Sequence, residues 1–143
     1  MAEPVADTLI KGIHHASLLV EDLPRALGFY RDLLGLAEDA ARPKMGFAGA
    51  WLQLGGQQIH LILSPSPLPE PAGGHAGRDR HLALEVADLD PLLRRLETAG
   101  VPCTSSRSGR RALFCRDPDG NGLEFVEVPA EGSRAASGRG EAP

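Results

Sequence analysis

The feature that most constrains this chain is a repeat. GIHHASLLVEDL at residues 12–23 returns as DRHLALEVADLD at residues 79–90. Each copy is a short apolar run opened by histidine and closed by an acidic turn before a helical stretch. His81 follows His15 by 66 residues, and Glu124 follows His60 by 64. The first-strand histidine and a polar residue in the last strand therefore recur together. Two copies of a unit are too few for a solenoid, so the pattern predicts a paired domain.

Two composition breaks frame the copies. SPSPLPEPAGGHAGRD at residues 64–79 is too rich in proline and glycine for a helix or a central strand, and reads as a linker or long loop. PAEGSRAASGRGEAP at residues 129–143 is small and polar and reads as a disordered tail. The expected organisation is an extension at 1–11, a first module at 12–63, the linker at 64–79, a second module at 80–128 and the tail at 129–143. In the first module, strands are expected at 13–20, 37–41, 46–54 and 57–63, with a helix at 23–34 stopped by Gly35. In the second, strands are expected at 81–86, 102–105, 111–116 and 122–128, with a helix at 88–99 stopped by Gly100. The fold class is α+β, two βαβββ modules.

Side chains alternate across a strand. Ala16, Leu18 and Val20 share one face of the first strand, with His15 on the other. Leu82, Leu84 and Val86 lie opposite His81. Ile59, Leu61 and Leu63 lie opposite His60, and Leu123 and Phe125 lie opposite Glu124. All four polar residues thus sit away from the apolar face that packs on a helix. Taken singly, an in-strand histidine is an ordinary core residue. Taken together, three imidazoles and a carboxylate make a poor core, because a buried carboxylate needs a partner. They make a good site for one divalent metal ion, with Zn, Ni, Mn, Co and Fe all suited to such ligands. Four protein ligands in an octahedral shell leave two positions for a substrate, which is a catalytic arrangement and not a closed structural one.

The residues resemble the vicinal oxygen chelate superfamily, which includes glyoxalase I, methylmalonyl-CoA epimerase, extradiol dioxygenases and bleomycin-resistance proteins. The matching pieces are IHHASLLVEDLPRALGFYRDLLGL, RHLALEVADLDPLLRRLETAGV and FCRDPDGNGLEFVEV. The resemblance implies strands curled into a cup around one metal, with helices on the outer face. It puts the ligands on His15, His60, His81 and Glu124. His60 departs from the glutamate of glyoxalase I and the glutamine of the epimerase, which lowers the negative charge on the ligands. The implied chemistry is a glyoxalase-like lyase or isomerase acting on a small substrate with oxygens on adjacent carbons. Its enediolate would be stabilised by the metal, with Glu124, or hydroxide on the metal, as base. Two alternatives are an extradiol-type dioxygenase and a non-catalytic protein that binds a small molecule such as an antibiotic. A homodimer is implied, with the site within one chain or shared between two.

Other residues are weighed against plainer roles. Trp51 and Gln53 share a strand face and are expected beside the metal, although a tryptophan there also suits a core. Arg80 and Arg111 are the expected substrate-binding residues, since a guanidinium recognises carboxylate or phosphate with a two-pronged hydrogen bond. One of Arg107, Arg110 and Arg111 is expected in that role, the others in a solvated turn. His14 is read as a packing or surface residue, and His75 as a solvated loop residue or part of a lid. The net charge of −4 argues against a nucleic-acid partner. No run of eighteen apolar residues suggests a membrane span. Cys103 and Cys115 are the only cysteines, and with no secretion pattern both are expected free in a cytoplasmic protein.

Overall fold

A computed structural model describes residues 9–71, 73–106 and 108–129. Residues 130–143 of the expected tail and 1–8 of the expected extension lie outside those residues, as does Arg107. Strand β1 (His15–Val20) leads to helix α1 (Leu23–Leu27), strands β2 (Gly49–Leu54) and β3 (Gln57–Leu63). The same order returns as β4 (His81–Val86), α2 (Leu89–Thr98), β5 (Thr104–Ser105), β6 (Ala112–Arg116) and β7 (Gly122–Glu127). Each module forms its own mixed sheet, ordered β1-β3-β2 in the first and β4-β7-β6-β5 in the second. The fold is α+β, as the repeat predicts.

The local chemistry of the helices follows the sequence, with one exception. Asp22 and Asp88 cap α1 and α2 by accepting backbone N–H bonds from Arg25 and Asp90. Gly35 and Gly100 end the helical stretches at φ of 85° and 77°, where a side chain would be strained. The exception is that α1 widens into a π-helix over Gly28–Leu33. There the Leu34 N–H reaches the Phe29 carbonyl at 2.9 Å, five residues back.

The strand expected at 37–41 shrinks to a single bridge between Glu38 and Leu52. Asp39 explains the difference. Its carboxylate accepts the Ala41 N–H at 2.9 Å and its carbonyl accepts the Arg42 N–H at 3.4 Å, so the chain turns away from the ladder. The fifth strand of the chain is likewise only two residues long, because Pro102 precedes it.

Apolar faces of both sheets and both helices feed one buried cluster. It runs from Val20, Tyr30, Ile59 and Leu61 to Leu84, Leu96, Leu123 and Phe125. Burial pushes the Cys115 thiol up to about 12, and both cysteines are free. The modules are also joined by the turn at residues 117–121. Asp117 is 5% exposed. Its carboxylate accepts from the Tyr30 hydroxyl at 2.6 Å, from the Asn121 amide at 2.8 Å, and from the Asp119 and Asn121 N–H groups at 2.9 Å each. Burial, then the Asp117 charge, holds the Tyr30 phenol well above its ordinary value, so it stays a donor. Arg25 pairs with Asp119 at 2.9 Å, and Asn121 donates to the Leu19 carbonyl.

Removing the hydroxyl leaves a buried carboxylate short of one donor, which costs about 2 kcal/mol for a charge-assisted bond. Tyr30→Phe is therefore expected to lower the melting temperature by about 5 °C, measured calorimetrically. A drop under about 1 °C would show that this bond does not hold the modules together.

Candidate metal centre and cavity

Strand pairing, parallel between the first and last strand of each module and antiparallel beside it, puts the candidate residues on common faces. In the first sheet His15 is the partner of Gln58, Ser17 of His60, and Trp51 of His60. In the second, Ala83 and Phe114 flank Glu124. The register repeats as the sequence does: Ser17 beside His60 corresponds to Ala83 beside Glu124. His15 and His60 therefore come together, as do His81 and Glu124.

The first pair is an aromatic stack. The His15 and His60 rings lie 3.9 Å apart at 19°, and Trp51 stacks on the other side of His60 at 4.4 Å and 8°. His60 is oriented from behind. The Gln58 amide donates to Asp39 at 2.9 Å, so its carbonyl accepts from His60 Nε2 at 2.8 Å. That leaves the lone pair of His60 on Nδ1. Burial, then the imidazoles of His15 and His14, holds His60 below the ordinary histidine value. His14 reaches around to place Nδ1 2.9 Å from His15 Nδ1. Gln53 lies on the same strand face, exposed at the edge of the stack.

The second pair is ionic. Glu124 is 3% exposed. Its Oε1 lies 3.1 Å from His81 Nε2, and its Oε2 accepts from the Arg110 guanidinium at 2.9 Å. His81 Nδ1 lies 2.9 Å from the Asp79 carbonyl, which can only accept, so Nδ1 carries the proton. A histidine that ligates a metal typically donates its other N–H in this way. Nε2 faces a carboxylate oxygen across 3.1 Å, a contact that calls for a proton or a cation between the two atoms, and imidazole with carboxylate is a donor pair that suits a divalent ion.

Beside this pair is a cavity of about 430 Å³ lined by His75, Arg78, Ser108, Arg110 and Phe114. Phe114 is its wall, with His75 and His81 edge-on to the ring at 4.6 and 5.2 Å. His75 donates to or accepts from Thr104 at 2.6 Å and so is a built part of the wall. A Cβ on Gly77 would stand 2.5 Å from the His75 ring, so only glycine lets the ring lie there.

The arginines sort by strand face. Arg111 turns to the helix side, where it grips Glu127 at 2.9 and 3.2 Å and approaches Asp90 at 3.4 Å. Glu127 in turn accepts the Leu89 N–H at the start of α2. Arg80 is exposed and lines a cleft between β1 and β4 together with Ser17 and Leu19. Arg110 and Arg78 are the ones that reach the cavity. Counting back from Phe114 by twos gives Ala112 and Arg110, so the alternation that placed Glu124 also marks Arg110.

The two pairs do not merge within one chain. Among the described residues, no three His, Cys, Asp or Glu side chains form a group that could hold a metal. No helix among them is long and apolar enough to cross a membrane.

The profile of the Glyoxalase/Bleomycin resistance protein/Dioxygenase superfamily matches residues 12–125. The chain is 34% identical to the uncharacterised protein YaeR of Escherichia coli, over 82% of this chain and 97% of that one. It is 27% identical to Glyoxylase I 4 of Arabidopsis thaliana, over 90% and 80% of the two chains. A fosfomycin resistance protein of Listeria monocytogenes, FosX, solved as a mutant with manganese(II) and a dihydroxypropylphosphonic acid, superposes with a TM-score of 0.67 at 20% identity. That superposition covers 86% of this chain and 96% of FosX.

Gly77→Ala is expected to push the His75 ring off Thr104 and Phe114 while the fold persists. The ring-current shift that Phe114 imposes on the His75 protons would then vanish from the proton spectrum, with circular dichroism unchanged. A retained shift would mean that the loop absorbs the methyl group without moving the ring.

Proposed function

The chain belongs to the Glyoxalase/Bleomycin resistance protein/Dioxygenase superfamily, and from that membership we propose that it is a metal-dependent enzyme of the glyoxalase type. It acts as a lyase or isomerase on a small substrate with oxygens on adjacent carbons. The observation that carries this reading is the approach of His81 Nε2 to Glu124 Oε1, an imidazole nitrogen and a buried carboxylate oxygen 3.1 Å apart in a wall of the cavity. His15, His60, His81 and Glu124 would hold one divalent ion from the set Zn, Ni, Mn, Co and Fe. When bound, that ion supplies Lewis-acid polarisation of the substrate oxygens.

The chain's own groups do the rest. Glu124 takes the proton from the carbon beside a carbonyl. Its burial and its contact with His81 keep the carboxylate aimed and poorly hydrated. Trp51 and Phe114 screen the two pairs from water, and Gln53 and Arg80 remain candidates for contact with more distant parts of a substrate, whereas Arg111 is held by Glu127 on the helix side.

We place the two ligand pairs in different subunits of a homodimer, His15 and His60 from one chain facing His81 and Glu124 of the other. Support comes from their separation within the single chain. The edge positions of β1 and β4 add to it, as do exposed Ile10 and Ile13 ahead of β1 and Leu19 within it. Small molecules are the expected partners, not nucleic acid or membrane, and the two free thiols suit a cytoplasmic setting.

Trp51, the single tryptophan, reports on the site because it stacks on His60. Titration with manganese(II) or nickel(II) is expected to quench its fluorescence saturably. His15→Gln and His81→Gln chains should each lose tight binding, and mixed dimers of the two should regain one intact site per dimer. No quenching and no retained metal in the wild-type chain would overturn the metal-enzyme reading. Quenching that mixing fails to rescue would overturn only the shared site.

A further inference from the structure

We propose that the Arg110–Glu124 ion pair is a switch that couples metal binding to recognition of an anionic substrate. Cation binding at Glu124 frees Arg110, which with Arg78 takes an oxyanion, carboxylate or phosphonate, in the adjoining cavity. The inference rests on the reading that Glu124 is a metal ligand, and it names the substrate class of that site as a small organic acid.

Charge carries the argument. Among the described residues, Glu124 is the one carboxylate lining the cavity, against the guanidinium groups of Arg78 and Arg110. Arg110 neutralises it at 2.9 Å. A divalent cation on that carboxylate takes away the counter-charge of Arg110. Two guanidinium groups and the ion then face one small cavity, and an oxyanion restores the balance.

The loop is built to let one end of Arg110 move while the other stays. Ser108 Oγ holds both the backbone N–H and Nε of Arg110, at 3.4 and 3.3 Å, and is itself braced by Ser106 Oγ at 2.8 Å. Only the outer nitrogen Nη2 reaches Glu124, so a change of partner needs a swing of the guanidinium tip and no rearrangement of the loop. Arg78 makes no hydrogen bond or ion pair among the described residues and enters the cavity from the opposite loop. The cavity volume, about 430 Å³, suits a small acid.

Linkage makes the proposal testable without catalysis. Methylphosphonate and acetate are titrated calorimetrically into the full chain. Glu124→Gln, which removes the competing charge with no metal present, is expected to tighten binding of at least one of them by about tenfold. The second substitution Arg110→Gln should erase that gain, and Arg78→Gln should weaken binding in either background. Arg94→Gln, an exposed change on α2, should alter neither. In the wild-type chain, manganese(II) should tighten anion binding, and the anion should tighten manganese(II) by the same factor. That coupling should fall in Arg110→Gln.

An affinity that Glu124→Gln leaves unchanged, or a gain that survives Arg110→Gln, overturns the switch. Because Arg78 and Arg110 are exposed, their variants test the site even if Glu124→Gln folds poorly. If the wild-type chain binds no metal while Glu124→Gln behaves as expected, the metal reading fails and the oxyanion site stands.

Discussion

Parallel pairing between the first and last strand of each module is the constraint on which the rest of the molecule depends. β1 lies beside β3, and β4 beside β7, in a register that sets Ser17 next to His60 and Ala83 next to Glu124. A slip of one residue would send His60 or Glu124 into the apolar cluster and Ile59 or Phe125 out of it. Burial of that cluster therefore enforces the placement of the polar pairs. Stability and site geometry rest on the same ladder of backbone bonds.

The same ladder yields two unlike pairs. The first is built from stacked rings, with Trp51, His60 and His15 in one column and Gln58 fixing the tautomer. The second is built from charge, with a buried carboxylate between an imidazole and a guanidinium. Duplication has preserved the backbone positions and changed what the side chains do there. The anion-facing cavity belongs to the second pair, and the optical reporter to the first.

Much of this was legible in the sequence because it follows period-two alternation. The faces of His15, His60, His81 and Glu124 came from counting, as did the helix stops at Gly35 and Gly100. The expected strand at 37–41 gives way to a turn because the Asp39 side chain bends the backbone there. Residue type alone does not separate Arg111 from Arg110; the alternation carried back from Phe114 does. Prolines and glycines mark the loop of His75, and only the contact with Thr104 and the bare Cα of Gly77 reveals it as a wall of the cavity. The π-helical widening after Leu27 has no local signal, since it is an adjustment of the backbone to packing.

The two modules differ most in their last turns. The first closes on Gly55 and Gly56, a plain hairpin, whereas the second closes on residues 117–121, which reach Tyr30, Arg25 and Leu19 in the other module. This breaks the pseudo-symmetry of a duplicated fold in one direction. A second module has the key and a first module the lock, so two first modules or two second modules cannot dock in the same way. Heterotypic docking is thereby written into the chain, and any assembly that exchanges modules between copies must still match each first module with a second.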